Sequence, residues 1–257
     1  MSLIKGFIMS LGMFSIVPAP KNSWNDRYLR LVIPCLPLVG AMIGSIWYGL
    51  AYALGRLPVP LMLQSAALLF IPFILSGFLH TDGFMDTADA VFSRRELEEK
   101  KRILKDPHVG AFAVIAVAVL FVFQFSAVYS ILDTQKNLLP LAFIPIISRC
   151  VVGISMLNLK PAFETGYNAA FRTDAMARHS VFIIVLALIT FSAACFTLGF
   201  AALPLLAEAM TGVVVTVYLY RQFKGISGDL SGCVVTVSEL SAVLCLALPG
   251  LRSGVPY

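Results

Sequence analysis

GAFAVIAVAVLFVFQFSAVYSIL, residues 110–132, carries no charged side chain and no proline. As a helix rising 1.5 Å per residue, a run of this length crosses the roughly 30 Å hydrocarbon core of a bilayer. The rest of the chain has the same character. Of its 257 residues 59% are hydrophobic and only 13% charged, with a mean hydropathy of +0.88. Soluble globular proteins carry roughly 25% charged residues, so a soluble enzyme with an unusually large core is excluded. The composition specifies an all-α fold, a polytopic transmembrane helical bundle, whose helices satisfy their own backbone groups in lipid.

Apolar runs of span length recur at residues 34–54, 61–79, 138–157, 181–200, 205–220 and 231–248. With 110–132 they predict about seven spans. Only a short stretch ending in Pro204 separates the runs at 181–200 and 205–220, so six spans plus a re-entrant segment also fit the pattern. No internal repeat or linker divides the chain, and residues 1–257 read as a single integral-membrane domain. The opening MSLIKGFIMSLGMFSIVPAP has one basic residue and no clean cleavage site. It reads as a retained interfacial or re-entrant helix ending at Pro18 and Pro20.

The net charge of +5 and pI near 9.0 point to membrane topology and not to a nucleic-acid partner. Fifteen Lys and Arg fall in one alternating set of loops, while only Arg56, Lys136 and Arg252 fall in the other. This bias predicts that the N terminus and the stretch 80–112 face the cytoplasm from the cell membrane. The cysteines Cys35, Cys150, Cys195, Cys233 and Cys245 show no metal-type spacing and behave as small apolar residues.

The most charged part of the chain is HTDGFMDTADAVFSRRELEEKKRILKDPHVGAF, residues 80–112. Asp82, Asp86 and Asp89 stand at i, i+4 and i+7, one stripe of a helix, where like charges repel. Gly83 and Ala88 beside them would let a ligand or another helix approach. Oxygen ligands of this kind suit Mg²⁺, which takes one or two carboxylates and completes its shell with water and substrate phosphate. A solvated helix end with acids near its N terminus is the plainer alternative. The following SRRELEEKKR alternates in sign and reads as an exposed helix with Glu96–Lys100 and Glu98–Arg102 pairs. Lys105 and Asp106 precede Pro107 at the start of the next span.

Five further residues stand out. Arg149 and Glu239 lie inside apolar runs, where charges face a cavity or a partner. Pairing with each other and contacting substrate are both open. KGISGDLSG, residues 224–232, is a Gly- and Ser-rich turn in which Gly228 can present backbone N–H to an anion and Asp229 can ligate a metal. His80, two residues before Asp82, is a candidate base or a hydrogen-bonded helix end.

The chain resembles the cobalamin synthase family, the adenosylcobinamide-GDP ribazoletransferases. LHTDGFMDTADAVFS at 79–93 followed by ILKDPHVGAF at 103–112 carries the likeness. LGMFSIVPAP at 11–20, PCLPLVGAMIG at 34–44, ISRC at 147–150 and KGISGDLSG support it in the same order. Pro107 and His108 depart from the more polar pair usual in the family, and residues 161–172 match only loosely. The resemblance implies a single integral-membrane catalytic domain that joins adenosylcobinamide-GDP to α-ribazole, or its 5′-phosphate, with release of GMP. It implies Mg²⁺ on Asp82, Asp86 and Asp89, attack by the ribazole 5′-hydroxyl, and His80 or one aspartate as proton acceptor. Lys105 and Arg149 would hold phosphate oxygens, with Asp106 and Asp229 on or near the metal. A homo-oligomer is left open. Two other readings are a CDP-alcohol-type phosphotransferase, whose DG-x-x-AR core is missing here because Asp89 follows Ala88, and a transporter lined by Arg149 and Glu239.

Overall fold

The computed structural model describes residues 2–20, 24–163 and 176–248. Most of the loosely matching segment 161–172, from residue 164 on, and Arg252, counted above for topology, lie outside the described residues. Helices α1 (Ser2–Phe14), α2 (Asp26–Leu29), α3 (Leu36–Leu54), α4 (Leu61–Leu75), α5 (Leu79–Phe92) and α6 (Leu97–Ile103) form the first half. Then follow α7 (Ala111–Asp133), α8 (Pro140–Asn158), α9 (Met176–Leu198), α10 (Leu203–Phe223) and α11 (Gly228–Ala247).

Charged and polar side chains are buried within a mostly apolar interior, and large apolar ones cover the outside. Arg149, Glu208, Glu239, Gln124 and Thr216 are buried, while Val114, Ile115, Val122, Val181, Leu188 and Ile189 stand exposed along α7 and α9. A soluble protein would bury the second set. Lipid is the solvent that reverses the preference.

Helix α8 occupies the middle, with two-thirds of its span buried. It lies against α3 at backbone distance: a Cβ on Gly40 would come 2.1 Å from the Pro145 carbonyl oxygen, and one on Gly44 2.2 Å from that of Ala142. These two glycines, four apart on one face of α3, let the helices approach as small-xxx-small pairs do in membranes.

Among the described residues five helical stretches are long and apolar enough to cross a bilayer, or six if α4 and α5 count as one broken span. One stretch, Ala177–Phe223, is 47 residues long, about 70 Å if straight. It is folded back on itself. Ser180 at its start accepts a hydrogen bond from Asn158 at the end of α8, at 2.8 Å. Leu198, Ala201, Ala202 and Leu205 pack with Leu141 and Leu246 at the opposite end of the bundle. Phe223 returns to pack with Ala162 and Leu230 beyond the end of α8. Gly199, at φ +55, makes the reversal, so α9 and α10 are two crossings, matching the expected pair at 181–200 and 205–220.

The expected continuous span at 61–79 is not observed. Helix α4 stops at Leu75 and α5 leaves at 89° to it. Gly77 takes φ +63 and Phe78 φ +58, and their N–H groups close on the Ile74 and Phe73 carbonyls at 2.9 and 2.8 Å. A left-handed glycine just past the last turn is the ordinary way to end a helix. Window hydropathy averages across such a stop, because Phe78 and Leu79 remain apolar.

Candidate active site

The turn at Gly77–Phe78 aims α5 across the start of α11. There the two backbones touch: a Cβ on Gly83 would lie 2.6 Å from the Asp229 carbonyl oxygen, and one on Gly232 3.1 Å from the His80 Cα. Thr236 Oγ1 donates to the His80 carbonyl at 3.1 Å. Since Gly83 follows Asp82 directly, this contact sets Asp82 beside Asp229. Ser227 starts α11, its Oγ accepting from the Leu230 N–H at 3.2 Å. Gly228 at the first helical position has open space where a side chain would stand.

Between these helices and α1, α3 and α8 lies a cavity of about 350 Å³. His80, Asp82, Gly228 and Asp229 line one side of it, and Met13, Phe14, Trp24, Leu36 and Met156 the other. Asp86, half-buried one turn further along α5, lies within the field of Asp82, Asp229 and Asp89. Among the described residues none of Asp82, Asp86 and Asp229 has an ion-pair partner. Three carboxylates held together without a counter-ion fit a cation in chemical type. They do not form a cage: among the described residues no three His, Cys, Asp or Glu side chains are arranged to hold a metal by themselves.

Asp89 has a different task. Its Oδ2 accepts from the Gly110 N–H at 2.6 Å and its Oδ1 from the Ala113 N–H at 3.0 Å. It caps the N terminus of α7, where a negative charge also meets the favourable end of the helix dipole. Gly110 is required for this, because a Cβ there would lie 2.5 Å from both oxygens. The expected alignment of three aspartates on one helix is observed, but the third is engaged by a helix cap instead of facing the cavity.

Other expected participants are spread out. Lys105 is exposed with Nζ 3.9 Å from the Phe163 ring centroid, and its charge reaches Asp229. Asp106 stands away from the aspartates. It accepts from the His108 N–H at 2.9 Å and lies 2.7 Å from His108 Nδ1, contacts that hold its carboxyl below the ordinary carboxylate range. On α6 the observed pairs are Glu98–Lys101 at 3.9 Å and Glu99–Arg102 at 2.6 Å. Glu96 is the residue before the helix and Lys100 instead donates to Gln222 Oε1 at 2.6 Å, so the expected i,i+4 pairs do not form.

Arg149 and Glu239 find each other. Arg149 Nη1 lies 2.7 Å from Glu239 Oε1 and 3.0 Å from the Pro145 carbonyl, and Ser148 Oγ donates to the same Glu239 oxygen at 2.8 Å. Arg149 is 1% exposed, and neither partner lines the cavity. Of the two openings the sequence leaves, the structure takes the bridge between helices. Sequence reasoning missed Glu208, fully buried in α10 within the field of Glu239 and Arg149. The rule that found the other two, a charge inside an apolar run, applies to it equally. It also missed Met13 and Phe14, although they lie in the quoted LGMFSIVPAP, and Trp24 and Met156, for which no local pattern exists.

Fold and site together define a polytopic membrane protein with an acid-lined cavity at one end of its bundle. A family model described as cobalamin-5-phosphate synthase matches residues 6–247, and the chain belongs to that family. An adenosylcobinamide-GDP ribazoletransferase of Clostridium botulinum (strain Alaska E43 / Type E3) is 38% identical over 251 residues, covering 96% of this chain and 98% of the relative. One from Clostridium perfringens (strain 13 / Type A) is 36% identical over 250 residues, covering 95% and 98%. A third, from Geobacillus kaustophilus, is 31% identical over 242 residues, covering 91% and 92%. No solved structure matches the chain at a significant level.

Proposed function

We propose that this protein joins adenosylcobinamide-GDP to α-ribazole, or to α-ribazole 5′-phosphate, releasing GMP and giving adenosylcobalamin or its 5′-phosphate. The observation that carries the reading is the cavity in which Asp82 and Asp229 meet His80 and an apolar wall. Such a cavity suits a nucleoside whose hydroxyl must reach a diphosphate.

The reaction breaks the diphosphate between the cobinamide-side phosphorus and the oxygen that leaves with GMP. A ribazole hydroxyl oxygen forms the new bond to that phosphorus and gives up its proton. The family's description names a 5-phosphate product, so the 5′ oxygen already carries phosphate there. Attack therefore falls to a secondary ribose hydroxyl, not to the 5′-hydroxyl expected from sequence. His80 is the one nitrogen base lining the cavity and is placed to take the proton, with Asp82 as the carboxylate alternative.

Asp82, Asp86 and Asp229 are the residues that would hold Mg²⁺, with substrate phosphate completing the shell in place of a protein cage. Bound there, the ion would supply neutralisation of the diphosphate charge. The N-terminal N–H groups of α11 at Gly228 and the ammonium of Lys105 would bind phosphate oxygens. Arg149 and Glu239 would act at one remove, by holding α8 against α11. The excess of Lys and Arg in alternate loops supports a cytoplasmic position for this end of the bundle, with the chain in the cell membrane.

The test is release of GMP and formation of corrinoid product in membranes, with and without Mg²⁺. Asp82→Asn and Asp229→Asn are expected to lower product formation at least about 100-fold while the protein remains in the membrane, as loss of a charge acting in the transition state does. Full activity in either variant, or equal activity in chelator, would overturn the metal assignment.

A further inference from the structure

The cavity has two chemically distinct walls. The acid side comes from α5 and α11. The opposite side comes from α1 (Met13, Phe14), the residue Trp24, the first turn of α3 (Leu36) and the end of α8 (Met156). Trp24 lines this wall and is 46% exposed, so its ring is open to a ligand in the cavity. Two aromatic rings and two thioethers form a polarizable surface suited to a flat ring system.

Size narrows the occupant. At about 350 Å³ the cavity is at the small end of the roughly 300–1,000 Å³ range of sites that bury a small molecule. A fused bicyclic base with its ribose fits that space, and a corrin macrocycle with its amide arms and adenosyl group does not. The side chains of this wall carry no ionised group, and their one nitrogen is that of the Trp24 indole. A base with exocyclic polar groups would lose its hydrogen bonds with water and find almost none in return.

We propose that Met13, Phe14, Trp24 and Met156 form the subsite for the apolar heteroaromatic base of the attacking nucleoside, and that they set its specificity. The proposal rests on the transferase reading above. The corrinoid substrate then approaches from outside the cavity and presents only its diphosphate to the acid wall.

The chain has two tryptophans, which makes binding readable without turnover. Trp47 is fully buried about three turns along α3 from Leu36. α-Ribazole added to the purified full chain in detergent is expected to quench tryptophan emission in the wild type and not in Trp24→Phe, while ribose alone quenches neither. In steady-state assays Trp24→Ala and Phe14→Ala are expected to raise the KM for α-ribazole about 5- to 100-fold, the usual loss for one base–aromatic stack. The KM for adenosylcobinamide-GDP should stay within about twofold, and Trp24→Phe should recover most of the loss.

Equal quenching in wild type and Trp24→Phe, or an unchanged KM for α-ribazole in both alanine variants, would overturn the subsite. So would a rise confined to the corrinoid KM. Absence of GMP release by the wild type would overturn the transferase reading instead, and the quenching result would still decide whether the wall binds the base.

Discussion

The buried bridge between Arg149 and Glu239 makes a quantitative prediction that separates a structural from a substrate-binding role. Glu239→Leu leaves a similar volume but removes the ion-pair partner of the Arg149 guanidinium, which is 1% exposed and beside Gly40, Pro145 and Ser148; the buried Glu208 stands in its field but forms no ion pair with it. Removing one member of a buried ion pair costs about 3–5 kcal/mol, because the remaining charge stays desolvated. For a chain of this length each kcal/mol shifts Tm by about 2–4 °C, so the variant should melt about 6–20 °C below the wild type. The measurement is the fraction of monodisperse protein surviving heating in detergent.

Replacing both partners behaves differently. Arg149→Met with Glu239→Leu removes both charges and keeps apolar volume, an exchange that is often neutral or stabilising. The double variant should therefore recover most of the loss, with an interaction energy outside the range of additive sites. High salt should not change the single variant's deficit much, since buried pairs are poorly screened. A Glu239→Leu protein melting within about 2 °C of wild type, or a double variant less stable than both singles, would refute the bridge. GMP release by the folded double variant then decides the substrate role: retained activity leaves a bridge alone, and its loss would restore direct contact with phosphate.

Two glycines carry further predictions. Gly110→Ala places a methyl 2.5 Å from both Asp89 oxygens and should break the cap of α7, costing about 1–2 kcal/mol, seen as a fall in Tm of a few degrees. Asp89→Asn should cost less than Gly110→Ala, because an amide oxygen still accepts from an N–H; equal or larger loss of activity with unchanged Tm would return Asp89 to the metal site. Gly40→Val drives a side chain into the Pro145 carbonyl, 2.1 Å from the first carbon alone. It should part α3 from α8 and abolish a monodisperse peak on size-exclusion chromatography, whereas Gly49→Val, with open space around it, should leave the elution profile unchanged.

What the sequence exposes are properties that need no knowledge of distant residues. Charge depletion reads the bundle directly, and the spans at 34–54, 110–132, 138–157 and 231–248 are close to α3, α7, α8 and α11. The helical spacing of Asp82, Asp86 and Asp89 is local and is observed. What each aspartate meets is not local. The partner of Asp89 is the N–H of Gly110, reached only because α5 and α7 pack together. The Gly residue of KD-x-x-x-G has meaning only once that packing is known. Trp24 and Met156 carry no motif at all, and only the closing of α1, α3 and α8 makes them neighbours of Asp82.

The break at Gly77 is the feature on which the site depends most. Helix α4 has 15 residues, about 22 Å, short of the roughly 30 Å hydrocarbon core, so α4 by itself does not cross it. Asp82 and Asp89 are seven residues apart, about 10 Å along a helix axis. Continued straight along α4, α5 would stack its carboxylates at rising heights and carry Asp86 away from Asp229. Turned by 89°, it lays them at one depth against the start of α11, with Gly83 and Gly232 allowing the contact. The acidity of the motif supplies the charges. The left-handed turn before it decides that two of them meet a third from the far end of the chain.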